Sequence, residues 1–165
     1  MSSKKPRKPK RVLVNPLAHA IAGARKLDVL YRDNIVTMLD KAWRTMREGG
    51  NRSRAWMDIA FMANVSQELS TMGICSDEAS RNKTVACEAV LVDWAQDALK
   101  DWQDFAITDD DAEIVEEALF LWQIQLDFVS MSEFEKARST VVRKQDQALK
   151  GNAGQNTEVV CVKTT

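Results

Sequence analysis

A chain of 165 residues with 45% hydrophobic content is long enough for one domain with a buried core, and extended disorder is confined to its ends. The formal charge is −1, and the three cysteines (Cys75, Cys87, Cys161) are odd in number and lack a CxxC spacing. That argues against a disulfide framework and makes a reducing cytoplasm the expected compartment.

The chain starts basic. Lys4, Lys5, Arg7, Lys8, Lys10 and Arg11 lead only into Val12-Leu13-Val14, so no secretory signal is expected. No stretch approaches the roughly 18–20 apolar residues that span a bilayer. Residues 1–15 read as a basic disordered tail that Pro6 and Pro9 keep extended. All three prolines lie in the first sixteen residues, which leaves the remainder free for long helices.

Leu17, Ala18, Ala20, Ile21 and Ala24 give a short apolar stripe, weakened by Gly23, and predict a first short helix. From about Asp28 to Glu48 the helical period is clear in Ile35, Met38, Leu39, Ala42 and Met46. Gly49-Gly50-Asn51 ends that helix, and Ser53 is read as the N-cap of the next, about Arg54 to Met72. Trp56, Ile59, Ala60 and Ala63 form its face. Met62, Val65, Leu69 and Met72 widen it, which predicts a central helix.

Gly73 stops this helix, and Ser76-Asp77-Glu78 opens a fourth that is expected to reach about Gln103. Its inward face is read as Ala79, Ala86, Ala89, Val90, Leu99 and Trp102. Thr108 caps a fifth helix whose first turn holds Asp109, Asp110 and Asp111, where carboxylates favour the helix dipole. Ile114, Ala118, Leu121, Trp122 and Val129 are its inward positions. Ser130 with Glu133 forms a capping box for a sixth helix to about Lys150, ended by Gly151, Asn152 and Gly154. Thr157 to Thr165 alternates like a strand but has no partner, so it reads as a tail.

These elements predict an all-α fold, an antiparallel helical bundle of about five or six helices with flexible N- and C-terminal tails. The organisation is a tail at 1–15, a helical bundle domain at 16–150 and a C-terminal tail at 151–165.

The catalytic inventory is thin. The single histidine, His19, has no neighbouring carboxylate or nucleophile. One histidine and three scattered cysteines lack the spacing of a zinc site. Cys87 reads as a small buried hydrophobe. Phosphate-binding glycine loops, dinucleotide fingerprints and HExxH are all missing. Asp109 to Asp111 lack the spaced ligands and central glycine of a calcium loop. The expectation is a non-enzymatic protein with no catalytic residues, no cofactor and no metal.

Charge is segregated. Residues 1–11 carry six basic groups and no acid, and residues 25–54 carry eight basic against four acidic. Residues 88–135 carry fourteen acidic groups and one lysine, Lys100. The last helix turns basic again, with Lys136, Arg138, Arg143, Lys144 and Lys150. Asp93, Asp97, Asp101 and Asp104 recur at helical steps, placing them on one face about 6 Å apart. Such a row can imitate a phosphate backbone and occupy a nucleic-acid-binding groove on another protein, or it can be a solvated face. The basic tail can attract nucleic acid through counterion release. Of the five tryptophans, Trp56 and Trp122 fit inward stripes. Trp43 and Trp94 lie off them and, if exposed, would serve as interface anchors.

The order of features carries a resemblance. The Lys/Arg/Pro-rich start runs into Asn15-Pro16-Leu17-Ala18-His19-Ala20-Ile21-Ala22-Gly23, followed by Ser53-Arg54-Ala55-Trp56. The acidic helix from Thr108 follows, then Gln125-Leu126-Asp127 and Ser130 to Ala137. Over about residues 4–140 this resembles a family of small helical proteins of tailed phages and prophages of proteobacteria. That family offers no settled activity or catalytic residues to carry over. The resemblance implies a phage accessory protein that acts by binding something in the bacterial host.

The sequence thus leads to two functional expectations. The first is protein–protein interaction with a host or phage protein through an acidic helical face comprising Asp93, Trp94, Asp97, Asp101 and Asp104. The alternative is nucleic-acid association through Lys4, Lys5, Arg7, Lys8, Lys10 and Arg11. No membrane partner is expected, and the apolar faces on nearly every helix leave a homodimer open.

Overall fold

The computed structural model describes residues 23–98, 102 and 106–152. The basic tail, His19, the short stripe from Leu17 to Ile21, Leu99, Asp101, Asp104, Cys161 and the C-terminal stretch beyond Asn152 lie outside the described residues. Five helices make up the structure among those residues: α1 (Val29–Glu48), α2 (Arg52–Thr71), α3 (Glu78–Asp97), α4 (Asp109–Phe128) and α5 (Met131–Asn152). No helix among them is long and apolar enough to cross a membrane.

Each boundary follows from local chemistry. Asp28 opens α1, its Oδ1 accepting from the backbone N–H groups of Leu30 (2.9 Å) and Tyr31 (3.3 Å). Gly49 closes α1 at φ +101°, a region that side-chain-bearing residues avoid. The N-cap of α2 is Asn51, two residues before the expected Ser53. Its Oδ1 accepts from Arg54 N at 3.0 Å, and the helix begins directly after the double glycine. Gly73, at φ +92°, stands where the turn after α2 was expected. Asp77 caps α3, Thr108 caps α4 through the Asp111 N–H (3.1 Å), and Ser130 begins α5.

Helix α2 packs against all four others, as the breadth of its apolar face implies. Ile59, Met62, Ala63, Val65 and Leu69 are fully enclosed, and Trp56 donates from Nε1 to the Leu91 carbonyl at 2.8 Å. Burying these side chains is the main favourable term in forming the bundle. Of the polar atoms inside it, Gln125 Oε1 and Trp122 Nε1 have no hydrogen-bond partner among the described residues. Gln125, buried on α4, donates to Ser70 Oγ at 3.2 Å, with the carbonyls of Ser66 and Ile74 at 3.5 and 3.4 Å.

Helix α3 departs from the sequence reading in two ways. It ends at Asp97 rather than near Gln103, with no glycine or proline in the sequence to mark the stop. Its buried stripe is Thr84, Cys87, Val90, Leu91 and Trp94, while Ala79, Ala86 and Ala89 are exposed. The inward face is therefore rotated toward the bulkier side chains. Cys87 is buried as expected, and desolvation pushes its thiol up to about 12.

An isolated bridge between Lys26 and Ser130 fastens the segment before α1 to the α4–α5 junction. Met131 N donates to the Arg25 carbonyl (2.9 Å) and Leu27 N to that of Val129 (3.3 Å).

Candidate interaction surface

The end of α3 and the beginning of α4 meet around Trp94. Two apolar neighbours, Leu91 and Ala98, share its stripe, and together they turn inward, so Trp94 is only 2% exposed. This corrects its placement off the inward stripe and leaves the condition for an anchor, exposure, unmet. Its indole N–H donates to Asp111 Oδ2 at 3.3 Å, which ties the core ring to the acidic first turn of α4. Asp111 is held in place because its own N–H bonds the Thr108 hydroxyl.

Trp43 on α1 stacks on Trp94, with ring centroids 6.3 Å apart and planes 6° from parallel. It is half-buried, and its Nε1 donates to Glu116 Oε1 at 3.1 Å. Arg47 lies 5.7 Å from the Trp43 ring centroid and 3.8 Å from Glu116. Across the other flank of α4, Lys83 pairs with Glu117 at 3.3 Å. Trp43, Arg47 and Glu116 were not singled out together by the sequence. The one available signal was the four-residue spacing of Trp43 and Arg47 on a helix.

Among the described residues, part of the acidic charge is therefore neutralised and part is not. Glu116 and Glu117 have cations beside them. Asp93 and Asp97 on α3, and Asp109, Asp110 and Glu113 on α4, are exposed and form no salt bridge among the described residues. The Trp94–Asp111 bond brings the last turn of α3 to the first turn of α4, so these carboxylates gather at one end of the bundle. Of the predicted interaction residues, Asp93 and Asp97 are on this surface and Trp94 lies beneath it. Asp101 and Asp104 lie outside the described residues, as do all six predicted nucleic-acid-binding residues.

Among the described residues no three His, Cys, Asp or Glu side chains are grouped to hold a metal ion. Between α2 and α3, Glu88 is the most perturbed carboxyl, pushed up to about 7 by desolvation. Gln67 Nε2 donates to its Oε2 at 3.5 Å, a long bond that offsets little of that cost. Comparison with protein-family models, characterised proteins and solved structures finds no match to this chain.

Proposed function

We propose that this chain is a non-enzymatic interaction protein, a phage or prophage accessory factor of the kind its sequence resembles. In this reading it works in the cytoplasm of a bacterial host, its consecutive helices packed antiparallel. It binds a host or phage protein that presents a basic surface. The observation that supports this is the contrast within one surface. Glu116 and Glu117 are paired by Arg47 and Lys83, whereas Asp93, Asp97, Asp109 and Asp110 face solvent without a cation among the described residues. Unpaired exposed carboxylates at neighbouring helix ends present a concentrated negative field, which steers a basic partner and selects against acidic ones.

The test is affinity capture of the full chain from nuclease-treated bacterial lysate, beside a variant carrying Asp93→Lys and Asp97→Lys. Both side chains are exposed, so circular dichroism of the variant should match that of the unaltered protein. A stoichiometric protein retained by the original chain and lost from the variant supports the proposal. Equal capture by both refutes the acidic surface. Nucleic acid co-purifying only without nuclease would transfer the function to Lys4, Lys5, Arg7, Lys8, Lys10 and Arg11.

A further inference from the structure

Helix α5 divides its cations between two roles. Arg138 pairs with Glu135 at 3.2 Å and Lys144 with Glu68 on α2. Lys136, Arg143 and Lys150 are exposed and form no salt bridge among the described residues. The three recur at steps of seven, which at about 3.6 residues per turn leaves them within about 40° of one another. The exposed Ser132 and Ser139 fall inside the same strip of about 60°, opposite the enclosed Phe134, Ala137 and Val141. The outward face of α5 is thus a straight basic row, about 21 Å long at about 1.5 Å per residue, with small hydroxyls beside the cations. The nearest acid, Asp146, stands at its margin within helical reach of Arg143 and Lys150 and pairs with neither.

The row begins where the chain enters the described residues. Gly23 lies so close to α5 that a Cβ on it would come within 3.0 Å of Ser132 Cβ. Arg11, the last of the six cations in residues 4–11, is twelve positions earlier. The exposed Arg25 is at the same junction, its carbonyl accepting from Met131 N. Two basic stretches far apart in sequence therefore start from one place on the molecule.

That place is remote from the acidic surface. Asp109 and Phe128 open and close α4 and are about 28 Å apart at about 1.5 Å per residue. The Lys144–Glu68 pair keeps α5 beside the last turn of α2, which Gln125, near the end of α4, also reaches through Ser70. Such a separation exceeds the screening length of about 8 Å at physiological salt, so the carboxylates do not cancel the field of the row.

The row matches a duplex backbone. Each strand carries a phosphate about every 3.4 Å of axis, so a row of about 21 Å spans about six of them. Lysine and arginine release counterions there, and serine hydroxyls donate to phosphate oxygens. Single strands call for aromatic side chains on which bases stack, and the row has none. An anionic membrane calls for an apolar stripe free to enter it, and α5 turns Phe134, Ala137 and Val141 into the bundle. We propose that the outward face of α5 binds the phosphate backbone of duplex nucleic acid without regard to sequence, continuing from the basic tail. This goes beyond the acidic-surface reading and uses none of its residues.

Fluorescence anisotropy of a labelled DNA duplex titrated with the full chain, between about 50 and 200 mM salt, tests it. Lys136→Gln, Arg143→Gln and Lys150→Gln together should weaken binding about tenfold or more at the lowest salt. They should also reduce the slope of log K against log salt by about 3. All three side chains are exposed, so circular dichroism of the variant should match that of the unaltered protein. Asp146→Asn should tighten binding. Lys41→Gln with Arg44→Gln, which removes exposed charge from α1, should leave it unchanged. Unchanged binding by the α5 variant overturns the proposal, and so does an equal loss from the α1 variant. A chain that leaves the duplex unbound at the lowest salt overturns it too, whether or not it sediments with anionic lipid vesicles. Because bare DNA is the probe, none of these results depends on whether Asp93 and Asp97 hold a protein.

Discussion

Between α2 and α3 the Glu88 carboxyl is bonded through one oxygen to Gln67, while its Oε1 is buried with no hydrogen-bond partner among the described residues. Desolvation raises its pKa from 4.5 to about 7. Between those two values the folded chain holds a proton that the unfolded chain has lost. Stability therefore falls as pH rises from about 4.5 through 7, and the whole penalty is present above pH 7. A shift of this size in a dry interior corresponds to about 3 kcal/mol, and partial solvent access reduces it to about 1 kcal/mol. Glu88→Gln keeps the shape and removes the charge. Denaturant unfolding at pH 8 should show the variant more stable by about 1 kcal/mol, with the difference shrinking toward pH 5. An unchanged slope between pH 5 and 8 would mean that Glu88 is well solvated.

At the level of the helix, the sequence is most legible where a single side chain or a glycine decides the outcome. Asp77, Thr108 and Ser130 act at the starts where short polar side chains stand before apolar runs, and Gly49 and Gly73 follow the last turns with positive φ. Such signals depend on neighbours in the chain alone. The facing of α3 depends on neighbours in space. Ala79, Ala86 and Ala89 gave as regular a stripe as Thr84, Cys87, Leu91 and Trp94, and alanine is content on either side of a helix. Only packing on α2 and α4 selects the second stripe. The same dependence hid the Trp43–Trp94 stack, whose members are 51 positions apart (94 − 43). The acidic surface was half legible: its charge was plain in the sequence, but which carboxylates find a cation was not.

The capping box of α5 offers the sharpest test at this scale. Ser130 Oγ donates to Glu133 Oε2 at 2.6 Å and accepts from the Glu133 N–H at 3.3 Å, while Glu133 Oε2 also accepts from Ser130 N at 2.8 Å. These bonds, the hydroxyl first, hold the Glu133 carboxyl below its usual range. Ser130→Ala should lower unfolding stability by about 1 kcal/mol. It should also let the Glu133 pKa rise, a change that NMR titration of its side-chain carbon would detect. A loss of stability without that rise would mean that Ser130 acts through packing at the junction with Lys26 and not through the cap.

For the molecule as a whole, the arrangement around α2 sets where it can open. Every other helix packs on α2, so freeing its amides means dismantling the bundle, and they should exchange with solvent only through global unfolding. Helix α5 is placed differently: among the helices its backbone closely approaches α2 alone, and its enclosed side chains are Phe134, Ala137 and Val141, all in its first half. Beyond Val141 its one cross-helix ion pair among the described residues is Lys144 with Glu68, and Val142 and Leu149 are exposed. A partly exposed ion pair contributes little, about 1 kcal/mol at most. Native-state hydrogen exchange should therefore rank α2 slowest, the first half of α5 intermediate, and its amides after Val141 fastest. Lys144→Ala should speed those late amides a few-fold and leave α2 untouched. If the end of α5 instead exchanged as slowly as α2 in dilute protein, the exposure of Val142 and Leu149 would be filled by a contact in solution. Dilution would then separate the explanations. A contact with a second copy releases the amides as the protein is diluted, whereas one within the chain holds them at every concentration.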